Sequence, residues 1–371
     1  MYGRLTIPSP NPAHLPRRTA IIATMGANSA NRDWIRDMIA GGVDMFRFSM
    51  VSGSHELHAT AVGLVRELAA EHGRAVRLMA DLQGRKNRIA GLPGAKAVWA
   101  DGDHVVLTHG EGDAGNLGDH AVRSRLPWRA DLVRPGTAVL LDDGLIELSV
   151  LRSSPGELRC VVVSGGAVWN GQGLTIQGAT DIPNGLNDRD IDDLRFAASL
   201  GVDAIALSFA NSAQDGNDLR ALTPDAILIG KMEHPAGLAA LGDLAHAFDG
   251  LMVARGDLGL EIPYEDVPFA QDEIVTACVK SDALSIVATQ FLHSMRQNIR
   301  PTRAEVTDIA NAVLRGTDAL LLSGETGFGQ HPLRAVEVMR RVIERAERET
   351  DALDARFTTR MSATAGGITS P

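Results

Sequence analysis

Short apolar runs recur along the chain, each followed by a turn and then by a stretch with helical spacing. They are AIIAT (20–24), MFRFS (45–49), VRLMAD (76–81), AIALSF (204–209), AILIGK (226–231), GLMVAR (250–255), LSIVAT (284–289) and ALLLSG (319–324). Runs this short and this uniformly apolar suit strands buried on both faces. Strands of that kind, alternating with helices, form parallel sheets through right-handed crossovers. Eight such units predict an α/β fold, a (β/α)8 TIM barrel.

The intervening helices carry their own start and stop signals. Thr302-Arg303-Ala304-Glu305 after Pro301 has the spacing of a capping box and leads into a helix that stops at Gly316. Asn187 heads DRDIDDLRFAASLG in the same way, with Gly201 placed to end it. A charged helix is expected over about 332–348.

One interval breaks the rhythm. Residues 87–173 hold glycine-rich turns around short alternating strands, among them TAVLLDDGLIELSVL and ELRCVVVSGG, and predict a small all-β domain inserted after the third strand. The expected organisation is a barrel from 1–86 and 174–348, an inserted lid over 87–173, and a flexible tail over 349–371. An insert at the catalytic end of a barrel is placed to exclude water from the site; a rigid appendage is the alternative.

Composition narrows the class. With 44 % apolar and 22 % charged residues, the chain reads as an ordinary soluble protein. Its net charge of −10 argues against a nucleic-acid partner or an anionic membrane surface, while leaving room for a local basic pocket. Cys160 and Cys278 are far apart and lack metal-type spacing, which suits a reducing cytoplasm rather than a disulfide framework. No run reaches the roughly 18 apolar residues of a membrane span, and the proline-rich start has no apolar core of the signal-peptide kind.

Barrel active sites gather at the carboxyl ends of the strands. Here those ends read Thr24, Arg47, Asp81, Ser208 with Phe209, Lys231 with Glu233, Asp257, Thr289 with Gln290, and Ser323 with Glu325. Side chains alternate along a strand, so Lys231 and Glu233 leave on the same side, and a parallel neighbour brings Asp257 alongside. Two carboxylates and a lysine so placed point to a divalent metal and an anionic substrate. Each residue also has a structural reading. Lys231 and Glu233 could form an ion pair, Asp257 could shape a turn, Arg47 could bridge to Asp81, and Asp142 with Asp143 read most simply as a hairpin turn. Gly110–Gly115 matches a dinucleotide fingerprint but lies in all-β context, and His55 with His58 lacks a third ligand; both are set aside.

The segments DLQGRKNR, LLDDGLIEL, DIDDLRFAASLGVDAIALSF, GKMEHPAG, GLMVARGDLGLEIP, VATQFLHSM, RPTRAEVTDIANAV and GTDALLLSGET make the chain resemble the pyruvate kinase family over about residues 18–347. The resemblance implies a barrel with a lid and a site for phosphoenolpyruvate, pyruvate or a related 2-oxo acid. It assigns Glu233 and Asp257 as ligands of Mg2+ or Mn2+, Lys231 as the lysine that stabilises the phosphoryl group in flight, and Thr289 as a residue in enolate protonation. Arg47 and Arg88 match arginines near the phosphate, while the Ala254, Arg255 and Gly256 backbone matches the wall that holds the substrate carboxylate. Ser208 and Phe209 join the substrate-binding set, and Asp81 and Lys86 fall in the monovalent-cation region. Relatives with a lysine at the Lys86 position resemble enzymes that do without potassium, so potassium is not expected to be required. A homo-oligomer is expected.

Departures from the family pattern cluster on one side. Where the family reads RxNFSHG, this chain has Arg47-Phe48-Ser49-Met50-Val51-Ser52-Gly53; GPAS becomes Gly26-Ala27-Asn28-Ser29; and a lysine before the fourth strand becomes Gln172. These positions lie on the nucleotide and monovalent-cation side. The chain also ends where the family adds a further domain, so sugar-phosphate regulation through that domain is not expected. The leading expectation is phosphoryl transfer between phosphoenolpyruvate and ADP, giving pyruvate and ATP. The alternative is a nucleotide-independent, metal-dependent enzyme that works through an enolate, of lyase, decarboxylase or aldolase type. A binding protein with little turnover is the third reading.

Overall fold

The computed structural model describes residues 17–26, 31–92, 95–109 and 120–365, with side chains up to 351. Residues 27–29 of the GPAS-like turn and the Gly110–Gly115 run lie outside the described residues. Three strands come first: β1 (Ala20–Thr24), β2 (Met45–Ser49) and β3 (Arg77–Leu82). Nine strands follow: β4 (Ile89–Ala90), β5 (Lys96–Trp99), β6 (His104–His109), β7 (Ala121–Ser124), β8 (Ala138–Leu141), β9 (Ile146–Ser154), β10 (Glu157–Ser164), β11 (Gly166–Trp169) and β12 (Leu174–Ile176). The last five are β13 (Ala204–Leu207), β14 (Ile227–Met232), β15 (Gly250–Ala254), β16 (Leu284–Ala288) and β17 (Ala319–Leu322).

Eight of these strands close into a barrel in the order β1-β17-β16-β15-β14-β13-β3-β2. Every apolar run singled out from the sequence lies on one of them, with ends shifted by at most two residues. The pairs β1/β2, β1/β17, β14/β15 and β16/β17 are parallel. β1, β13, β15 and β17 are buried at every position, which is why they carry almost no polar residue. β2 differs, with Met45, Arg47 and Ser49 only half-buried.

The helices are α1 (Arg32–Gly41), α2 (His55–Glu71), α3 (Asp188–Ser199), α4 (Ala213–Leu222), α5 (Pro235–Ala239), α6 (Leu241–Ala247), α7 (Arg255–Glu261), α8 (Val267–Ser281), α9 (Arg303–Leu314), α10 (Gly324–Gly327) and α11 (Pro332–Ala365). Thr302 and Glu305 form the reciprocal capping box ahead of α9. Asn187 and Asp190 exchange equivalent bonds ahead of α3, at 2.9 and 3.3 Å. Residue 348 does not end α11, which continues to Ala365; the charged run after 348 contains no glycine or proline until Gly366.

Contacts divide the described chain into two compact units. One holds residues up to Ala80, Leu200–Ala204 and everything from Leu284; the other holds Asp81–Ser199 and Ile205–Ala283. In the first, Asp44 anchors a buried network with Arg17 at 2.7 Å and Arg74 at 3.0 Å. In the second, β12-β8-β9-β10-β6-β7-β4 make a seven-stranded sheet, and β11-β5 a two-stranded one. These strands share an apolar core that includes Trp99, Leu107, Leu148, Leu158 and Cys160. Asp142 and Asp143 turn the chain between antiparallel β8 and β9, with φ of 52° and 53° ahead of Gly144 at 87°. Both aspartates thus occupy the left-handed region, which their short side chains tolerate.

Candidate active site

The site assembles on β14 and β15 of the second unit. Lys231 stands opposite Met252 and Met232 opposite Val253, so Ala254 comes level with Glu233 where both strands end. The chain turns at once into α7, whose first turn carries Asp257. The sequence reading put Asp257 at a strand end; the strand stops three residues earlier, and the helical turn carries the carboxylate to the site.

Lys231 is nearly buried, and its ammonium is fully engaged. Nζ donates to Ser208 Oγ at 2.6 Å and to Asp81 Oδ1 at 3.2 Å, and lies 3.0 Å from Glu233 Oε1. Ser208 Oγ in turn donates to the Leu82 carbonyl at 2.9 Å. Three donors meet three acceptors, which holds the charge at a fixed point.

Glu233, only 1 % exposed, accepts the Phe209 N–H on Oε2 at 2.8 Å. That bond depends on Phe209 adopting φ of 55°, a conformation rare for an aromatic residue and costly by about 1–3 kcal/mol. Gly84 packs beside this turn with φ of 64°, and a Cβ there would stand 2.3 Å from the Ser208 carbonyl oxygen. Burial raises the Glu233 pKa, against the pull of Lys231, and the charges of Asp257 and Asp81 raise it further. Asp257 moves the other way. Burial pushes its pKa up, but Lys86, Lys231 and a hydrogen bond with Glu233 outweigh that and lower it. The two carboxyls are thus pushed apart, Glu233 upward and Asp257 downward, because two neighbouring anions repel and Lys86 and Lys231 both favour the charged Asp257.

Lys86 is the second cation of the site. Its Nζ donates to Asp257 Oδ1 at 2.6 Å and lies 3.9 Å from Asp143 of the β8–β9 turn. Burial opposes its charge, yet Asp257, Asp143 and Glu233 raise its pKa overall. Of the two residues assigned to the monovalent-cation region, Asp81 contacts Lys231 and Lys86 contacts Asp257. Arg88, half-buried, bridges to Gly173 and donates to the Gly171 carbonyl at 2.7 Å. Arg255 and Gly256 open α7 beside Asp257.

The remaining candidates belong to the first unit. Arg47 donates to Thr24 Oγ1 at 3.0 Å. Thr289 and Gln290 follow β16 with φ of 74° and 60°, and two successive left-handed residues, one of them β-branched, mark a strained turn. Glu325 is buried and accepts the Leu292 and Ser323 N–H groups, a structural part. His58 Nε2 meets the Ser52 carbonyl at 2.9 Å and its ring packs edge-on against Phe48.

Two residues escaped the sequence reading. Glu261 lies four residues after Asp257 on α7, and His234 follows Glu233. His234 Nε2 and Glu261 Oε2 face each other at 3.9 Å, both buried and both without a hydrogen-bond partner among the described residues. Burial pushes the Glu261 carboxyl up to about 8 and lowers the His234 pKa. The one available signal was the four-residue spacing, which puts Asp257 and Glu261 on one helix face.

Among the described residues no cluster of three or more histidine, cysteine or acidic side chains is set to enclose a metal. Glu233 and Asp257 suffice for an ion such as magnesium, which keeps water and substrate oxygens and takes only one or two protein carboxylates. The upward shift of Glu233 caused by the Asp257 charge is the repulsion that a bound cation would relieve.

Residues 16–336 match the family profile described as pyruvate kinase, barrel domain. The chain is 40 % identical over 333 residues to a pyruvate kinase of Agrobacterium vitis, covering 90 % of this chain and 69 % of that one. It is 40 % identical over 338 residues to one of Corynebacterium efficiens, with 90 % and 70 % covered. For a pyruvate kinase of Mycobacterium tuberculosis the identity is 38 % over 343 residues, with 91 % and 72 % covered.

Proposed function

We propose, from the premise that this chain belongs to the pyruvate kinase family, that it transfers a phosphoryl group between phosphoenolpyruvate and ADP, giving pyruvate and ATP. The observation that carries this reading is the set of Lys231, Glu233 and Asp257, in which a fixed ammonium lies 3.0 Å from Glu233 and the Asp257 charge pushes the Glu233 pKa up. Glu233 and Asp257 would hold magnesium or manganese, which when bound offsets the charge of the substrate oxygens.

Phosphoryl transfer needs in-line positioning and neutralised oxygens more than covalent help. Lys231 supplies the neutralising charge, worth on the order of 4 kcal/mol for an ammonium about 4 Å from an anion at intermediate dielectric. Ser208 and Asp81 hold that ammonium in place, and the Phe209 N–H holds Glu233. The Ala254, Arg255 and Gly256 backbone takes the substrate carboxylate, and Arg47 and Arg88 take phosphate oxygens. Thr289 serves the last step, in which the enolate of pyruvate gains a proton at its methylene carbon. Lys86 provides a tethered positive charge where other members use potassium, so potassium is not required. The insert acts as a lid over residues 87–173, and the protein works as a cytoplasmic homo-oligomer; no described helix is long and apolar enough to cross a membrane.

The test is ADP-dependent formation of pyruvate from phosphoenolpyruvate with magnesium present. Turnover without added potassium is the expected result, and no pyruvate at millimolar ADP would remove the reading. The nucleotide-independent alternative draws on Gln172, whose buried Nε2 has no hydrogen-bond partner among the described residues, at a position where the family carries a lysine. It predicts exchange of pyruvate methyl protons in deuterated water with metal but no nucleotide.

A further inference from the structure

The ladder between β14 and β15 ends with Met232 opposite Val253. Glu233 lies one residue beyond it and Asp257 four, so ladder bonds do not set the separation of these two carboxyls. Asp257 rides on α7, a helix of 7 residues whose start no side chain caps. Two buried side chains join the same segments one step further out. His234 follows Glu233 directly, and Glu261 stands one turn beyond Asp257 on the same helix, about 6 Å along its axis. The imidazole Nε2 and the carboxyl Oε2 face each other at 3.9 Å, with His234 only 7 % and Glu261 only 4 % exposed. Thr180 on the imidazole side and Thr175 with Gly178 on the carboxyl side also bear on the pair. Nε2 and Oε2 themselves have no hydrogen-bond partner among the described residues.

Both ends of this pair are seated. α5 packs so tightly that a Cβ on Gly237 would stand 2.7 Å from the Ala210 carbonyl oxygen, and just past α7 the Ile262 carbonyl accepts Gln177 Nε2 at 3.4 Å. The direction of the bond follows from the cap of α5. His234 Nδ1 accepts the Ala236 N–H at 3.2 Å, so the neutral ring carries its proton on Nε2, as a donor. Glu261 Oε2 is the acceptor before it, about 1 Å beyond hydrogen-bond length and within reach of a small side-chain rotation. Left apart, a buried donor and a buried acceptor have both given up water for nothing; joined, each satisfies the other.

We propose that His234 and Glu261 are a positioning pair, whose Nε2–H to Oε2 hydrogen bond ties the start of α5 to the end of α7 and so fixes the spacing of Glu233 and Asp257. Neither residue touches the reacting atoms; each acts through the carboxyl beside it in the chain or on the helix. A small divalent ion demands close to ideal octahedral geometry, so a carboxyl that drifts loses affinity, and partners outside the ligand set control that drift. The proposal rests on the reading that Glu233 and Asp257 hold the divalent ion.

The experiment titrates the protein with Mn2+ alone, without nucleotide or phosphoenolpyruvate, and reads free Mn2+ by electron paramagnetic resonance. Wild type is compared with Glu233→Ala, Glu261→Leu, Glu261→Gln, His234→Ser and the Glu261→Leu/His234→Ser double variant. Serine still caps α5 but is too short to reach Glu261. Wild type binds saturably and Glu233→Ala does not. Glu261→Leu and His234→Ser each bind about tenfold or more weakly. The double variant is no weaker than the weaker single one, because both changes remove the same bond. Glu261→Gln, whose amide oxygen still accepts, stays close to wild type. Wild-type affinity in Glu261→Leu or His234→Ser, losses that multiply in the double variant, or a Glu261→Gln as weak as Glu261→Leu overturns the pair while the metal site stands. Equal Mn2+ binding by wild type and Glu233→Ala removes the metal reading itself, and the positioning role with it.

Discussion

Lys231 is a stationary charge because Ser208, Asp81 and Glu233 take all three of its donors. Lys231→Met keeps much of the volume and removes the ammonium. With about 4 kcal/mol at stake, kcat is expected to fall on the order of a thousandfold in a coupled assay, with a smaller change in the KM for phosphoenolpyruvate. Glu261 carries a separate prediction. Its folded pKa is about 8, above the ordinary carboxyl value, so between that ordinary value and pH 8 the folded state binds more protons than the unfolded chain. Stability should therefore fall as pH rises from about 4.5 towards 8 and level off beyond. Denaturant midpoints measured at pH 5 and pH 8 should draw closer together in Glu261→Gln, which keeps the neutral form at both. An unchanged gap would show that Glu261 is not the titrating group.

At the scale of elements, the turns after the barrel strands do the shaping. Phe209, Thr289 and Gln290 take left-handed conformations that side chains disfavour, whereas Gly84 takes one that glycine accepts. Gly84→Ala would add both a strained φ and a Cβ pressed on the Ser208 carbonyl. It is expected to lower the unfolding free energy, obtained from denaturant titration, by more than about 1 kcal/mol and to reduce kcat, since Ser208 orients Lys231. Helix starts are simpler. The Thr302–Glu305 box was legible because its bonds join residues three apart, and Thr302→Ala should cost about 1 kcal/mol in the same measurement. The strained turns were not legible, because Phe and Thr are poor predictors of a left-handed residue and only packing around them enforces it.

At the scale of the molecule, the barrel strands and the insert answer to different patterns. Continuous burial produced the parallel strands, and alternation produced the insert sheets with their own apolar core. Leu158→Ala within that core is expected to cost roughly 2–5 kcal/mol, seen as a lower thermal or denaturant midpoint. Because the insert also presents Asp143 towards Lys86, the same variant should alter nucleotide or substrate affinity more than kcat.

The sequence alone determined the eight strand positions, the placement of Lys231 and Glu233 on one side, and the helix caps. These depend on period, burial and bonds between near neighbours. Tertiary structure alone decided that Lys86 meets Asp257, that Asp81 meets Lys231, and that the Phe209 N–H meets Glu233. Such partners are chosen by strand register and by turns between segments far apart in the chain, and no local pattern of polar and apolar residues encodes them.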